Sequence, residues 1–405
     1  MQFQKIIEPF KALKNRTFAL LYTAQTISLI GDAFTWVGLA LLSYEMDKER
    51  SSVILATALT LRVTAFIIFS PFAGVLADRM ARKKILYITH FCRMAIVCCL
   101  PFVTTEIQIY VLLFLLNMFN AFFTPTYRAI IPHVTEERYF REAVGLSTAT
   151  YQVLGILGPG LAGIVAVWFG ARTIFFIDTA SFIIAAILIL MIPVKDLQKG
   201  VSETAASLNT WTEVWTGIRQ LFGNKVLRFA LSIEFVSAIA GAQILVNSVS
   251  LVRTRLQLND DSYGWIMAMF GIGAAVAAFT AGILDRSKTR STSLILGFML
   301  LGFSILCADN SPFGLLMVLW LIAGLGQSLS EMPSETLIAE QIADEHQGKV
   351  YGSHFAFSHL WWAIAYPIAG FMGKNYPQAA FFYGGLATLC LGLVAILFFK
   401  FKKEI

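Results

Sequence analysis

Asp32, Glu234 and Glu331 each stand inside a long run of apolar residues. An ionised carboxylate is expensive at membrane depth, so an acid kept there points to proton exchange or cation binding. Asp32 shares a helical face with Gln25, Ser28 and Trp36. That face offers polar neighbours and an aromatic ring beside the acid. Glu331 lies four residues from Glu335 and four from Gln327, again on one face, with Glu335 nearer the end of its run. Glu234 is on a run that also carries Gln243 and Asn247, themselves four apart. On an ideal helix it points away from them, and only a break at Gly241 would bring both sets to one side.

Two cations complete this inventory. Arg62 and Arg93 fall near the middle of their runs, where a guanidinium needs a carboxylate or carbonyl partner. Either can form an ion pair with Asp32, and both can instead hold an anionic substrate. Asn117, Asn120 and Thr124 form a polar stripe that either reads a substrate or joins helices. Arg128 and Asp178 are closer to run ends and read as structural.

Other chemistries lack their parts. His354 and His359 are five apart, a spacing that does not share a helical face, and no cysteine completes a zinc pattern, so no metal site is expected. The five cysteines lie inside apolar runs without a C-x-x-C spacing. The chain has no nucleotide-binding G-x-x-x-x-G-K, no H-E-x-x-H and no G-x-S-x-G, so neither an enzyme nor ATP-driven work is expected, and no cofactor.

The elements that position these groups are set by composition. The 405 residues are 57% hydrophobic and 14% charged, with mean hydropathy +0.70, which excludes a water-soluble globular fold. The net charge of +6 sits in short loops between apolar runs, not on one face. It sets topology and gives no nucleic-acid surface. A bilayer core needs roughly 20 apolar residues per helix. Twelve runs qualify, with cores at 17–44, 52–77, 84–104, 107–131, 141–168 and 171–193, then 225–252, 261–284, 291–308, 312–338, 350–373 and 379–400.

Most of the 31 Lys and Arg residues fall on one side when the N-terminus is placed in the cytoplasm. The positive-inside rule then puts both termini there. The connection 194–224 becomes a cytoplasmic linker, in which Trp211, Val214, Trp215, Ile218, Leu221 and Phe222 recur at helical spacing, as in a helix lying at the membrane interface.

Between the second and third runs the chain reads GVLADRMARKKIL from Gly74, and a shortened echo, GILDRSKTR, begins at Gly282. Gly74 and Asp78 recur as Gly282 and Asp285, Pro125 as Pro333, and Gly163 as Gly370. An even number of runs separates the copies, so both have the same orientation. The implied fold is all-α and integral to the membrane: two parallel, pseudo-symmetric six-helix lobes around a central cavity, residues 1–193 and 225–405, joined by the linker. In the turn, Asp78 is placed to latch neighbouring helices, while Arg79, Arg82 and Lys83 are placed to face anionic headgroups. Asp285 and Arg286 carry the second, shorter copy.

Gly74, Leu76, Asp78, Arg79, Arg82, Lys83 and Leu86 match the loop motif G-x-L-a-D-r-x-G-r-k-x-x-l, with Ala81 in place of its second glycine. On this motif and its position the chain resembles the major facilitator superfamily along its whole length. The fifth run is similar to that superfamily's antiporter motif at Gly145, Gly158, Pro159 and Gly163, with Leu154 and Ala162 replacing two glycines. The opening PFKALKNRTFALLYTAQTISLIGDAF and the segment FFTPTYRAIIPHV resemble its drug and siderophore exporter branch.

The resemblance implies that the first, fourth, seventh and tenth helices line the cavity. It further implies proton-coupled efflux of lipophilic or amphipathic small molecules, with export of a siderophore or other metal chelate, or proton-coupled import, as alternatives. Expected partners are a small-molecule substrate, protons and membrane lipids. The expected setting is the inner or plasma membrane, crossed many times by a monomer.

Overall fold

The structure is a computed structural model that describes residues 8–79, 81–136, 139–193, 210–284 and 290–399. Among them every regular element is helical. The helices are α1 (Arg16–Met46), α2 (Ser51–Arg79), α3 (Arg82–Cys99), α4 (Glu106–Val134), α5 (Phe140–Phe169), α6 (Ile174–Leu190), α7 (Thr210–Gly223), α8 (Lys225–Ser250), α9 (Asp260–Leu284), α10 (Arg290–Leu306), α11 (Phe313–Gln341), α12 (Asp344–Asn375) and α13 (Ala380–Phe399). Eight of these are long and apolar enough to cross a membrane, and α6 is a shorter apolar helix.

Local chemistry fixes where they start and stop. Asn15 opens α1, its Oδ1 accepting from the amides of Thr17 and Phe18 at 3.0 and 3.1 Å. Asn224 opens α8 in the same way, accepting from Val226 and Leu227 at 2.8 and 3.2 Å. Thr105 and Gln108 form a capping box at the start of α4. Gly170, at φ 82°, turns the chain out of α5, a conformation in which a Cβ is strained.

The chain divides into two compact units, Met1–Leu42 with Thr64–Glu203 and Ser43–Val63 with Thr204–Ile405. In the first, Phe18, Leu21, Leu86, Phe123, Ile130 and Ile189 make a buried core, with α3 packed on α4 and α6. In the second, Leu227, Phe229, Ile233, Phe298, Ile338 and Val350 do the same. Its helices approach closely through glycines. A Cβ on Gly273 of α9 would run into the carbonyl oxygen of Leu321, and one on Gly324 of α11 into that of Phe270. Gly297 of α10 and Gly326 of α11 repeat this reciprocal contact. In hydrocarbon, where the hydrophobic effect does not drive helices together, such backbone contact supplies the dispersion that does.

Two features close the ends of the second unit. After α8 a π-turn, Leu251–Arg255, presents Arg255 to Asp309 (3.1 Å), to the Asn310 side chain (2.8 Å) and to the Gln378 carbonyl (2.6 Å). One guanidinium thereby ties the loops before α11 and before α13. At the other end α7 seats Gly217 against the backbone of Lys349 in α12 and buries Leu221, while Val214 and Trp215 stay exposed. The expected single apolar side of this helix is therefore split between protein contact and an outer face.

Placing a side chain at the α9–α11 crossing forces the helices apart, and overpacking of this kind costs about 1–3 kcal/mol. Gly324→Leu is expected to lower the thermal unfolding midpoint of the detergent-purified protein, and Gly314→Leu, at an open position on the same helix, to leave it unchanged. Equal midpoints for the two variants would count against a close-packed crossing. Asn224→Ala, which removes the cap of α8, is expected to destabilise by about 1 kcal/mol in the same measurement.

Candidate functional site

In the first unit the functional candidates converge on Arg93. Its Nη2 donates to both oxygens of Asp32, at 2.8 and 3.0 Å. The guanidinium carbon lies 4.1 Å from the centre of the Phe182 ring and 5.6 Å from that of Phe123. These contacts explain how a cation with 1% exposure is tolerated: a carboxylate neutralises it and two aromatic faces replace water. Asp32 keeps 21% of its side chain accessible, so this acid is open on one side. Of the two pairings left open by the sequence, Asp32 takes Arg93; Arg62 belongs to the second unit, where it is half-buried.

Around this pair stand groups of a second rank. Asp178 is fully buried and accepts from the Thr35 hydroxyl, with Ser181 Oγ 3.0 Å from its Oδ1. Gly31 makes room for it, since a Cβ there would collide with both Ser181 and Asp178. His90, one turn before Arg93, is fully buried with its ring 4.6 Å from Phe123, and neither nitrogen has a hydrogen-bond partner among the described residues. On α1, Ser28 is buried, and Gln25 and Trp36 are half-buried. The stripe on α4 bonds along its own helix: Asn117 donates to the Leu113 carbonyl at 2.8 Å, and Thr124 to that of Asn120 at 3.1 Å.

The second unit holds a separate cluster. Glu234 of α8 meets Nε2 of His354 of α12 at 2.8 Å, both side chains almost fully buried. On α11, Gln327 Nε2 donates to Glu331 at 2.5 Å. Gly241 lets α8 close on Trp362 and on Gln327, whose Oε1 is 2.8 Å from where a Cβ would be. Trp361 packs at 5.0 Å on Phe235. Gln243 and Asn247 face α12 instead: Asn247 donates to Gln243 at 2.6 Å and to the Ala369 carbonyl at 3.0 Å, and Gln243 to the sulfur of Met372. They join helices, and α8 runs through Gly241 as an unbroken helix.

His354 is the group that sequence reasoning missed. Its one signal in the sequence is an imidazole within an apolar run, which by spacing speaks only against a metal site. Among the described residues no three His, Cys, Asp or Glu side chains converge as metal ligands.

The turn after α2 is only partly described. The surroundings of Gly74 and the side chains of Asp78 and Arg79 lie outside the described set, as do Asp285 and Arg286 of the echo. Lys83 donates to the carbonyls of Leu190 (2.8 Å) and Ile192 (2.6 Å) at the end of α6. It closes a helix end where the sequence suggested contact with headgroups, because the unsatisfied carbonyls lie within reach of its chain. Arg82 is half-buried. On α5, Gly158 abuts Ala33 of α1, its missing Cβ 2.6 Å from that methyl group, and Gly163 is buried; Gly145 and the Pro159 ring lie outside the described set.

Known proteins place this arrangement. The model of the Major Facilitator Superfamily matches residues 21–258 and 235–404. Macrolide efflux protein A of Streptococcus pyogenes is 22% identical, over 95% of this chain and 96% of its own. Staphyloferrin A transporter of Staphylococcus aureus is 21% identical, over 78% of this chain and 80% of its own. Among solved structures, the nucleoside transporter NupG superposes with a TM-score of 0.71 at 14% identity, covering 95% of this chain and all of that one, which shows the fold. With the family model spanning nearly its full length, the chain belongs to the Major Facilitator Superfamily and is a multi-pass membrane transporter.

Proposed function

We propose that the protein is a secondary active exporter that moves lipophilic or amphipathic small molecules, multidrug in type, in exchange for protons. Two six-helix lobes, 1–193 and 225–405, joined by the linker 194–224, alternate access to a central cavity. The observation that carries this reading is the state of Asp32: a mid-helix carboxylate anchored to a buried guanidinium yet open on one side. A proton taken up there would remove the charge that holds Arg93, which couples protonation to a change in helix contacts. Glu331 and Glu234 are the further proton candidates, the latter held by His354. The likeness to macrolide efflux protein A supports the outward direction.

In this reading the chain works as a monomer in the cell membrane, with both termini in the cytoplasm and lipids around it. The turn at Gly74, Asp78 and Arg79, with its echo at Asp285 and Arg286, latches one conformation. Gly145, Gly158, Pro159 and Gly163 shape the seal between helices. Gln25, Ser28, Trp36, Asn117, Asn120 and Gln327 supply cavity contacts. A second reading, export of a siderophore or other metal chelate, is favoured by the likeness to staphyloferrin A transporter and would use Arg62 toward acidic ligand groups.

Asp32→Asn is expected to cut proton-gradient-driven ethidium transport in everted vesicles by about tenfold or more, the factor that ~1.4 kcal/mol represents. Undiminished transport would remove Asp32 from the coupling. His354→Ala leaves Glu234 buried without its partner and is expected to destabilise by about 3–5 kcal/mol. Glu234→Gln, which keeps an acceptor for the imidazole, should lower the thermal midpoint less, and the reverse order would contradict the pairing.

A further inference from the structure

The first unit has two carboxylates and one guanidinium in a single buried cluster. Among the described residues the charges that bear on Asp178 are Asp32 of α1 and Arg93 of α3; the third titratable group beside Arg93 is His90, one turn earlier on the same helix and between the rings of Phe123 and Phe182. Arg93 gives only Nη2 to Asp32, and its buried Nε has no hydrogen-bond partner among the described residues. The guanidinium thus retains a donor it does not use. Asp178, with no exposure, has only hydroxyl groups as side-chain hydrogen-bond partners among the described residues. An ionised carboxylate buried on hydroxyls alone is strongly disfavoured.

The hydrogen count agrees. Ser181 Oγ lies 2.7 Å from the Asp178 backbone carbonyl and 3.0 Å from Asp178 Oδ1. The hydroxyl has one proton and the carbonyl can only accept. With that proton given to the carbonyl, the contact to Oδ1 is satisfied when the carboxyl itself is protonated and donates to Ser181 Oγ. Thr35 then donates to Oδ2, the carbonyl oxygen of the acid. Each proton has one acceptor.

We infer that Asp178 is a second proton-binding site, and that Asp32 and Asp178 share Arg93 in turn. With Arg93 on Asp32, the proton sits on Asp178. A proton arriving at the open side of Asp32 neutralises it and releases Arg93, which pairs with Asp178 as that group gives up its proton. One proton enters the cluster and one leaves, so its net charge is the same before and after the exchange. Gly31 lets Asp178 lie this close to α1, because a Cβ there would collide with Asp178 and Ser181. This inference deepens the proton-exchange reading and rests on it.

Infrared difference spectroscopy of the purified full-length protein tests it without a substrate. At neutral pH a protonated-carboxyl C=O band is expected that shifts in heavy water and is absent from Asp178→Asn. Thr35→Val, which keeps the acid and removes one donor to its C=O, should move the band to higher frequency, so the assignment stands even where Asp178→Asn folds poorly. Asp32→Asn, which frees Arg93, should abolish the band. A spectrum unchanged by Asp178→Asn and Thr35→Val, or a band that persists in Asp32→Asn, overturns the inference. The ethidium assay on the wild type separates this from the wider reading: absence of gradient-driven transport there sinks proton exchange whatever the band does, while normal transport with an unresponsive spectrum sinks Asp178 alone.

Discussion

Arg93 cannot be neutralised by losing a proton, and it has almost no access to water. Everything near it follows from that constraint. A guanidinium at membrane depth requires a counter-ion on a neighbouring helix, and α1 supplies Asp32. It requires a surface that tolerates positive charge without hydrating it, and Phe182 and Phe123 supply two ring faces. The backbone has to bring α1 close to α6, and Gly31 removes the side chain that would prevent it, as Gly158 does where α5 meets α1. The placing of Asp32, Phe182 and Phe123 is therefore the consequence of one charge.

Much of this was legible from composition and pattern. The expected runs agree with the helices within a few residues along most of the chain, because membrane depth fixes their length and Asn15, Asn224 and Thr105 mark their starts. The acids were legible too, since a carboxylate stands out in an apolar run. Partners were not. Arg62 and Arg93 are equal candidates for Asp32 in sequence, and only the adjacency of α1 and α3 decides. His354 and Glu234 are 120 residues apart, and their meeting depends on the rotations of two helices that periodicity gives only coarsely. Asp178 was still less visible, as Thr35 lies 143 residues away.

The glycines show where sequence and packing diverge. Gly74 and Gly158 belong to recognisable motifs, whereas the pairs Gly273 with Gly324 and Gly297 with Gly326 fit no motif and nonetheless set how closely α9, α10 and α11 approach. A small residue in an apolar run carries the same signal whether it faces lipid or a neighbouring backbone. The difference lies in helix rotation, as it does for His354.

Under the proposed proton exchange the two units would answer a proton differently, because their basic partners differ. In the first, the cation is permanent, so a proton changes which acid holds it and leaves the cation in place. In the second, the partner of Glu234 is an imidazole, and there a proton changes the charge of the base itself. Exchange of partners moves side chains between helices, since Asp32 and Asp178 stand on different ones; titration of a histidine alters attraction along a contact that is already made. On these contacts, the first unit is suited to convert a proton into a helix movement, and the second to strengthen or loosen a junction between α8 and α12 without changing its partners.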